Sequence, residues 1–413
     1  MDSTKSENTV SQENPNNTPD TRAYSPRAIR FWGFLAIISA SVVASAVTIR
    51  AGLGRVDQWI GGDWLIDYSA GFTRRGLIGE VVRQAEMVIG ADRIIVTTLI
   101  QLSVLVALTV FLLMLVYRHQ RGLATLLLVA SPAFVLFLLN PLGTMRKEIV
   151  LWLLVAGVLV WSRSRRPRAG KAIAWAVASI FPVLVLVHEA MLFYAGFIVV
   201  MMWLLVSEGT VAKRTAWWAG AVGGLFTAIA AGLTLLWPTR PGIGADICAT
   251  LTGAGYGDAL CAGAIRFLDQ DAAFSMNRVG DAILEGNYLA VYLPVILLSS
   301  LPFFFVRWSK SLAVALSLSL VMTLPLFIVA IDWGRWIVIS VWLVTMLVLR
   351  FDGSPHVTVI QLEKTTKRRL GLATPLGVAA FATLWSVPHC CEPRIGFGLV
   401  DRFREVLVIL GLW

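Results

Sequence analysis

Charge is what this sequence has least of. Asp, Glu, Lys and Arg make up 15% of its 413 residues, 57% are hydrophobic, and mean hydropathy is +0.75. A soluble domain carries about 25% charged residues. The balance excludes an ordinary soluble enzyme and predicts an all-α, polytopic integral membrane protein. Cysteine is scarce too, and Cys248, Cys261, Cys390 and Cys391 lack metal-ligand spacing. No HExxH or CxxC motif argues for zinc, no Walker motif for ATP, and no GxSxG elbow for a serine hydrolase. The sequence therefore points to no cofactor and leaves a divalent metal open. Nucleic-acid-binding motifs are missing as well, so the formal charge of +10 points to topology and anionic headgroups. Residues 1–27 have almost no large apolar side chains and no cleavable signal peptide, and they read as a disordered cytoplasmic tail.

What is present is a series of apolar runs within residues 28–413, the expected transmembrane domain. They fall near 31–49, 95–117, 122–139, 149–162, 172–187, 190–206, 215–236, 289–306, 311–330, 333–349 and 370–387, about eleven helices in all. Several are shorter than the ~20 residues of a full crossing, and 149–162 is the weakest. Arg22, Arg27 and Arg30 precede the first run and predict a cytoplasmic N-terminus. On that alternation 20 of the 35 Lys and Arg lie inside, whereas 18 of the 25 Asp and Glu lie outside. Acids barely influence orientation, so their excess outside predicts a polar site facing outward. Outer loops are expected at 50–92 and 237–288, with an outer C-terminal segment at 388–413. Cys248 and Cys261 share the second loop and are expected to form a disulfide there. Leu399, Val400, Phe403, Val406, Leu407 and Leu410 mark an interfacial amphipathic helix in the tail.

The most informative stretch is GGDWLIDYSAGFTRRGLIGE, residues 61–80. It is too polar to span, yet it lies between two spans. Asp63 and Asp67 stand four apart, the pair Arg74 and Arg75 follows, and the chain then becomes amphipathic from Leu77 to Ile89. That pattern predicts a second interfacial helix with the Arg pair at its N-terminus, where backbone N–H groups and guanidinium forks favour a phosphate. Other polar residues gather in turns assigned to the same face: Arg146, Lys147 and Glu148; His188 and Glu189; Asp332 and Arg335; His389 and Glu392. Ionisable groups at membrane depth are costly and mark functional sites. Each also has a structural reading: headgroup contact for the cations, an interhelical hydrogen bond for His188, a helix-pinning salt bridge for Asp332 and Arg335, and a cap for Asp63.

With DYSAGFTRRGLIGE, NPLGTMRKE, HEA and DWGRW in these turns, the chain resembles bacterial membrane glycosyltransferases of the GT-C class and polymerase-like proteins of polysaccharide clusters. The resemblance implies a polyprenyl-phosphate-linked sugar as donor, a cell-envelope glycan or lipid-linked acceptor, and action at the outer face of the bacterial cytoplasmic membrane. It implies a catalytic acid in the first outer loop, which is Asp63 or Asp67 here. The spacing D-x3-D departs from the near-adjacent acids frequent in that class. Asp63, farther from the cations and before Trp64, is favoured as the base, and Asp67 as organiser of the Arg pair. Arg74, Arg75, Arg146, Lys147 and Arg335 would hold the lipid phosphate. His188, Glu189, Asp332 and Trp64 would orient substrate, with Trp64 as a sugar platform. A Wzy-like polysaccharide polymerase and a lipid-linked-sugar flippase are the rivals. The first calls for a second Arg-rich outer loop, where only Arg240, Arg266 and Arg278 occur. The second calls for charges at mid-span.

Overall fold

The computed structural model describes residues 26–54, 58–117, 122–164, 167–237, 240–360, 373–388, 395–396 and 398–412. The N-terminal tail (residues 1–25), Cys390, Cys391, His389 and Glu392 lie outside the described residues. The first helix, α1 (Pro26–Gly54), is apolar throughout. It is followed by a 3-10 turn at Gly62–Leu65 and a short α2 (Leu77–Ile89), which Gly90 ends in the left-handed conformation. Then come α3 (Arg93–Tyr117), α4 (Gly122–Val129), a 3-10 segment at Val135–Leu139 and a single turn, α5 (Pro141–Thr144). Helices α6 (Ile149–Trp161), α7 (Pro167–Val187), α8 (Ala195–Ser207) and α9 (Lys213–Leu235) complete the first part. The second large connection folds as α10 (Ile243–Gly253), two 3-10 turns and α11 (Ala272–Leu284). The chain closes with α12 (Tyr288–Ser300), α13 (Lys310–Val329), α14 (Trp333–Phe351), α15 (Ala373–Thr383) and α16 (Gly398–Leu410). An antiparallel pair, β1 (Val306–Trp308) and β2 (Val357–Val359), is the one sheet among the described residues.

Among the described residues eight segments are long and apolar enough to cross a membrane, as in a multi-pass, mostly helical membrane protein. They correspond to eight of the eleven runs. The other three differ. Run 122–139 is broken after Val129, where Pro132 follows and the chain turns. Helix α6 has 13 residues, roughly 20 Å at 1.5 Å per residue, less than the hydrocarbon thickness. Run 370–387 is helical only from Ala373 to Thr383 among the described residues.

Contacts between helix ends show how the chain alternates. At one end Arg163 donates to the carbonyls of Met114 and Leu349, Arg350 pairs with Glu208 at 2.8 Å, and the β1–β2 pair closes the base. The start of α1 is there too, with Arg30 over the Tyr117 ring. The opposite end collects the turns after α1, before α6, after α7 and before α14, which are the turns that carry the polar residues singled out above. Helix α14 is the central post, with 94% of its apolar window buried. Its Trp342 stacks on Trp152 of α6 at 4.2 Å and packs on Phe134 at 4.4 Å. Helices α3, α9 and α13 instead expose Leu99, Val106, Phe226, Leu318 and Val321, the surface that hydrocarbon accepts.

The second large connection covers the first as a roof. Leu65, Ile66 and Val82 below form one apolar cluster with Ile243, Ile247, Leu260, Ile265 and Leu268 above. The Leu260 carbonyl comes so close to Gly62 that a Cβ there would meet it at 2.7 Å. Cys248 and Cys261 form a disulfide within this roof. Helix α2 is amphipathic as expected: of its apolar face, Val82 is buried under the roof, whereas Val81, Val88 and Ile89 are exposed. Helix α16 likewise buries Val406 and exposes Val400, Phe403 and Val408.

Candidate functional site

Asp63 sits in the 3-10 turn that follows α1, fully buried under the roof. Its neighbour Trp64 fixes the turn by donating Nε1–H to the Met145 carbonyl at 2.7 Å. That bond brings the Arg146–Lys147–Glu148 turn against Asp63. Arg146 Nε lies 3.7 Å from one carboxylate oxygen and Lys147 Nζ 3.9 Å from the other. Neither oxygen accepts a hydrogen bond from the protein. The carboxylate is thus held by charge at distances beyond hydrogen bonding, with both oxygens unspent. Burial opposes its ionisation, but Lys147 and Arg146 outweigh burial and hold the group well below the usual carboxylate range.

Further contacts spread outward from this pair. Lys147 Nζ donates to the Arg75 carbonyl at 2.5 Å. Arg75 has a φ of +65°, a left-handed conformation that is strained for a long side chain and clusters at functional sites. That twist aims its carbonyl at Lys147 while its guanidinium grips Glu189 through Nε and Nη2 at 2.8 and 2.5 Å. Glu189 opens the segment after α7, and His188 caps it by accepting the Ala190 N–H on Nδ1. A neutral ring then carries its proton on Nε2, which faces Glu148 Oε1 at 3.4 Å. Burial pushes His188 down to about 4, so the ring is neutral at physiological pH. Glu148 also faces Arg335 Nη2 at 3.1 Å, and Arg335 Nη1 faces Asp332 at 3.2 Å. Arg335 lies over the Trp336 ring, and Arg146 over Trp59 at 5.3 Å. Burial lowers Lys147 to about 8 despite Asp63 beside it.

The structure therefore brings Asp63, Arg75, Arg146, Lys147, His188, Glu189, Asp332 and Arg335 into one connected set at one end of the bundle. Three expected residues do different work. Asp67 does not organise the Arg pair: it accepts from Arg93 at 3.0 Å and from the Ser69 hydroxyl at 2.6 Å, bracing the start of α3. The Arg pair splits at the turn. Arg74 points into the roof and donates to the Gln270 carbonyl at 3.2 Å. Trp64, as buried as Asp63, spends its Nε1–H on the Met145 carbonyl and anchors the turn, presenting no open ring face for a sugar in this structure. Sequence reading gave no role to Glu148, and it did not single out Arg93 or Trp59. Glu148 shows one signal, a carboxylate at the threshold of an apolar helix; Trp59 and Arg93 show none, because their partners are distant in the chain.

Arg75 is spent on Glu189, and Arg74 keeps one buried Nε–H without a partner but points into the roof; Arg146, Lys147 and Arg335 are the cations that stand around Asp63 and Glu148, Arg335 already paired with Glu148 and Asp332. Arg146 Nε and Arg335 Nε and Nη1 are buried and make no hydrogen bond. The arrangement offers an ionised acid beside buried guanidinium donors. It suits a reaction in which a proton leaves a hydroxyl and negative charge builds on a phosphate. Among the described residues no cluster of His, Cys, Asp and Glu could hold a metal ion.

Comparison with family models, curated proteins and solved structures finds no match for this chain.

Proposed function

We propose that this protein is a membrane glycosyltransferase that moves a sugar from a polyprenyl-phosphate donor to a cell-envelope glycan or lipid-linked acceptor. The supporting observation is the Asp63 carboxylate, buried, ionised and without a hydrogen bond, beside two guanidinium groups with unused N–H donors. In this reading Asp63 accepts the proton of the acceptor hydroxyl. The hydroxyl oxygen bonds to the anomeric carbon as that carbon's bond to the phosphate oxygen breaks. Arg146, Lys147 and Arg335 receive the charge that develops on the departing lipid phosphate. His188 and Glu148 steady Arg335, and Arg75 and Glu189 steady Lys147. Asp63 lies beneath the roof, so the acceptor reaches it when the 257–270 segment lifts.

In this reading the site faces outward across a bacterial cytoplasmic membrane, in the orientation expected from Arg27 and Arg30. The charges stand at helix ends rather than mid-span, which supports an enzyme over a flippase. In the roof, Arg240 pairs with Asp246 at the surface, so it brings no cation to the cluster and gives the polymerase reading no support.

The test is binding of a polyprenyl phosphate to purified protein in lipid nanodiscs. Arg146→Ala and Arg335→Ala are each expected to weaken binding roughly tenfold, the loss of one charge-assisted hydrogen bond. Unchanged binding in both variants would remove the phosphate role from this cluster.

A further inference from the structure

Asp63, Arg146 and Lys147 are 0%, 3% and 0% exposed, so no substrate reaches them until a covering element moves. The roof rests on the residues that lead into the Asp63 turn. Gln58 offers its carbonyl to the Ala264 N–H at 3.4 Å, and a Cβ on Gly263 would meet that same carbonyl at 2.6 Å. Trp59 packs its ring on Phe267 of the roof, with centroids 5.4 Å apart and planes tilted by 51°. The same ring carries the Arg146 guanidinium at 5.3 Å from its centroid. One side chain therefore touches the roof on one side and a cation of the charged cluster on the other. Neighbouring roof contacts use groups that do not touch Asp63: Leu260 meets Gly62, and Arg74 reaches the Phe267 and Gln270 carbonyls.

We propose that Trp59 is a positioning residue that couples an anion at Arg146 to the roof: a lipid phosphate draws the Arg146 guanidinium off the Trp59 ring, the ring loses its hold on Phe267, and the roof lifts from Asp63. The inference rests on the phosphate role given to Arg146 above and adds an order of events to it. A guanidinium over an indole face is attracted by the ring quadrupole. A phosphate takes the same fork through charge-assisted hydrogen bonds, which are stronger. Arg146 Nε is buried without a hydrogen bond, so that donor is open to an anion. Ring and phosphate compete for one guanidinium. The phosphate enters those molecules whose roof is already raised, and holds them there. An anion at Arg146 favours the open roof by the same factor as an open roof favours the anion. The lipid donor therefore binds first and admits the acceptor. Trp59 stands four residues before Asp63, so the movement reaches the acid's own turn through a short stretch of backbone.

Ala264→Cys, at a roof position 1% exposed, reports the lift. The full chain in nanodiscs is labelled with a membrane-impermeant maleimide while the Cys248–Cys261 disulfide is intact, and peptide mass spectrometry separates this site from Cys390 and Cys391. The ligand is farnesyl phosphate, with farnesol as the uncharged control, and its binding is measured on the same chains without the added cysteine. Farnesyl phosphate should speed labelling of the Ala264→Cys parent roughly fivefold, the equivalent of one cation–π contact, and farnesol should not. Trp59→Leu keeps an apolar partner for Phe267 and removes the ring face. It should label without ligand as fast as the liganded parent, gain nothing from farnesyl phosphate, and bind it several-fold more tightly. Trp59→Phe should restore the response. That restoration, with the gain in affinity in Trp59→Leu, separates coupling from packing. A response in Trp59→Leu equal to the parent's would overturn the coupling. Farnesyl phosphate bound to the parent with no change in labelling would also overturn it, and would leave the phosphate role of Arg146 standing. Failure of the parent to bind farnesyl phosphate would remove that role and the inference with it.

Discussion

Lys147 shows burial and charge most directly opposed. Its ammonium is fully buried, its carboxylate partner is 3.9 Å away, and its proton is held only to about pH 8. The folded value lies below the ordinary lysine value of 10.5, so between those two pH values the unfolded chain binds the extra proton and the folded chain does not. Stability should therefore rise with pH across that window, the opposite of a lysine that gains from its partner. Transfer activity should fall over the same window, because the anion site loses a cation. A pH profile of turnover set against thermal unfolding checks both trends, and Lys147→Met should abolish the alkaline limb of the activity profile. Asp63 behaves as a depressed carboxylate. Its contribution to stability is present above the ordinary carboxylate value of 3.8 and is lost only in strong acid. Asp67→Asn belongs to a different class. It leaves Arg93 with Glu86 as its remaining acid and should destabilise the fold by about 1–3 kcal/mol with no specific loss of turnover per folded molecule, readable as a lowered unfolding midpoint. Which residues carry charge near the site was plain in the sequence. What each one touches was not, because a positive φ at Arg75 sends two neighbouring guanidinium groups to different partners and no spacing rule encodes that turn.

At the scale of elements, the roof is the feature that decides access to Asp63. The disulfide between Cys248 and Cys261 closes a loop with a sequence separation of 13, a constraint worth on the order of 3 kcal/mol in the chain-entropy picture. Cys248→Ser with Cys261→Ser should leave the transmembrane bundle assembled and loosen the roof. Limited proteolysis between Gly253 and Asp258 should accelerate several-fold; unchanged cleavage would mean that the apolar packing of Ile243, Ile247 and Leu260 suffices without the bridge. The pairing was legible because two cysteines share one extramembrane stretch. The roof's position over the Gly62–Leu65 turn was not, since it depends on packing between segments about 200 residues apart. The short span α6 and the broken segment around Pro132 are the reverse case. Hydropathy sees continuous apolarity there, while helix length is set by the turns at Arg146–Glu148 and Pro132.

At the scale of the whole molecule, one end of the bundle gathers Arg163, Arg350 and the β1–β2 pair and the other end gathers the polar turns, and the charge pattern predicts that the first end is cytoplasmic. Cysteine introduced at Ser164 or Thr358 should resist membrane-impermeant labelling in intact cells, and cysteine at Ala254 should react; labelling at Ser164 from outside would reverse the orientation. A bundle that buries Asp63, Arg146, Lys147, Glu148, His188 and Arg335 together carries a large desolvation cost, which makes this cluster the place to test for chemistry. Whether that cluster performs chemistry is decided by sugar transfer and donor binding measured side by side on Asp63→Asn protein in nanodiscs. Loss of a general base should lower transfer roughly 10²–10⁴-fold while polyprenyl-phosphate-sugar binding persists. Near-normal transfer by Asp63→Asn, with the protein folded and donor bound, would contradict a catalytic role for this carboxylate.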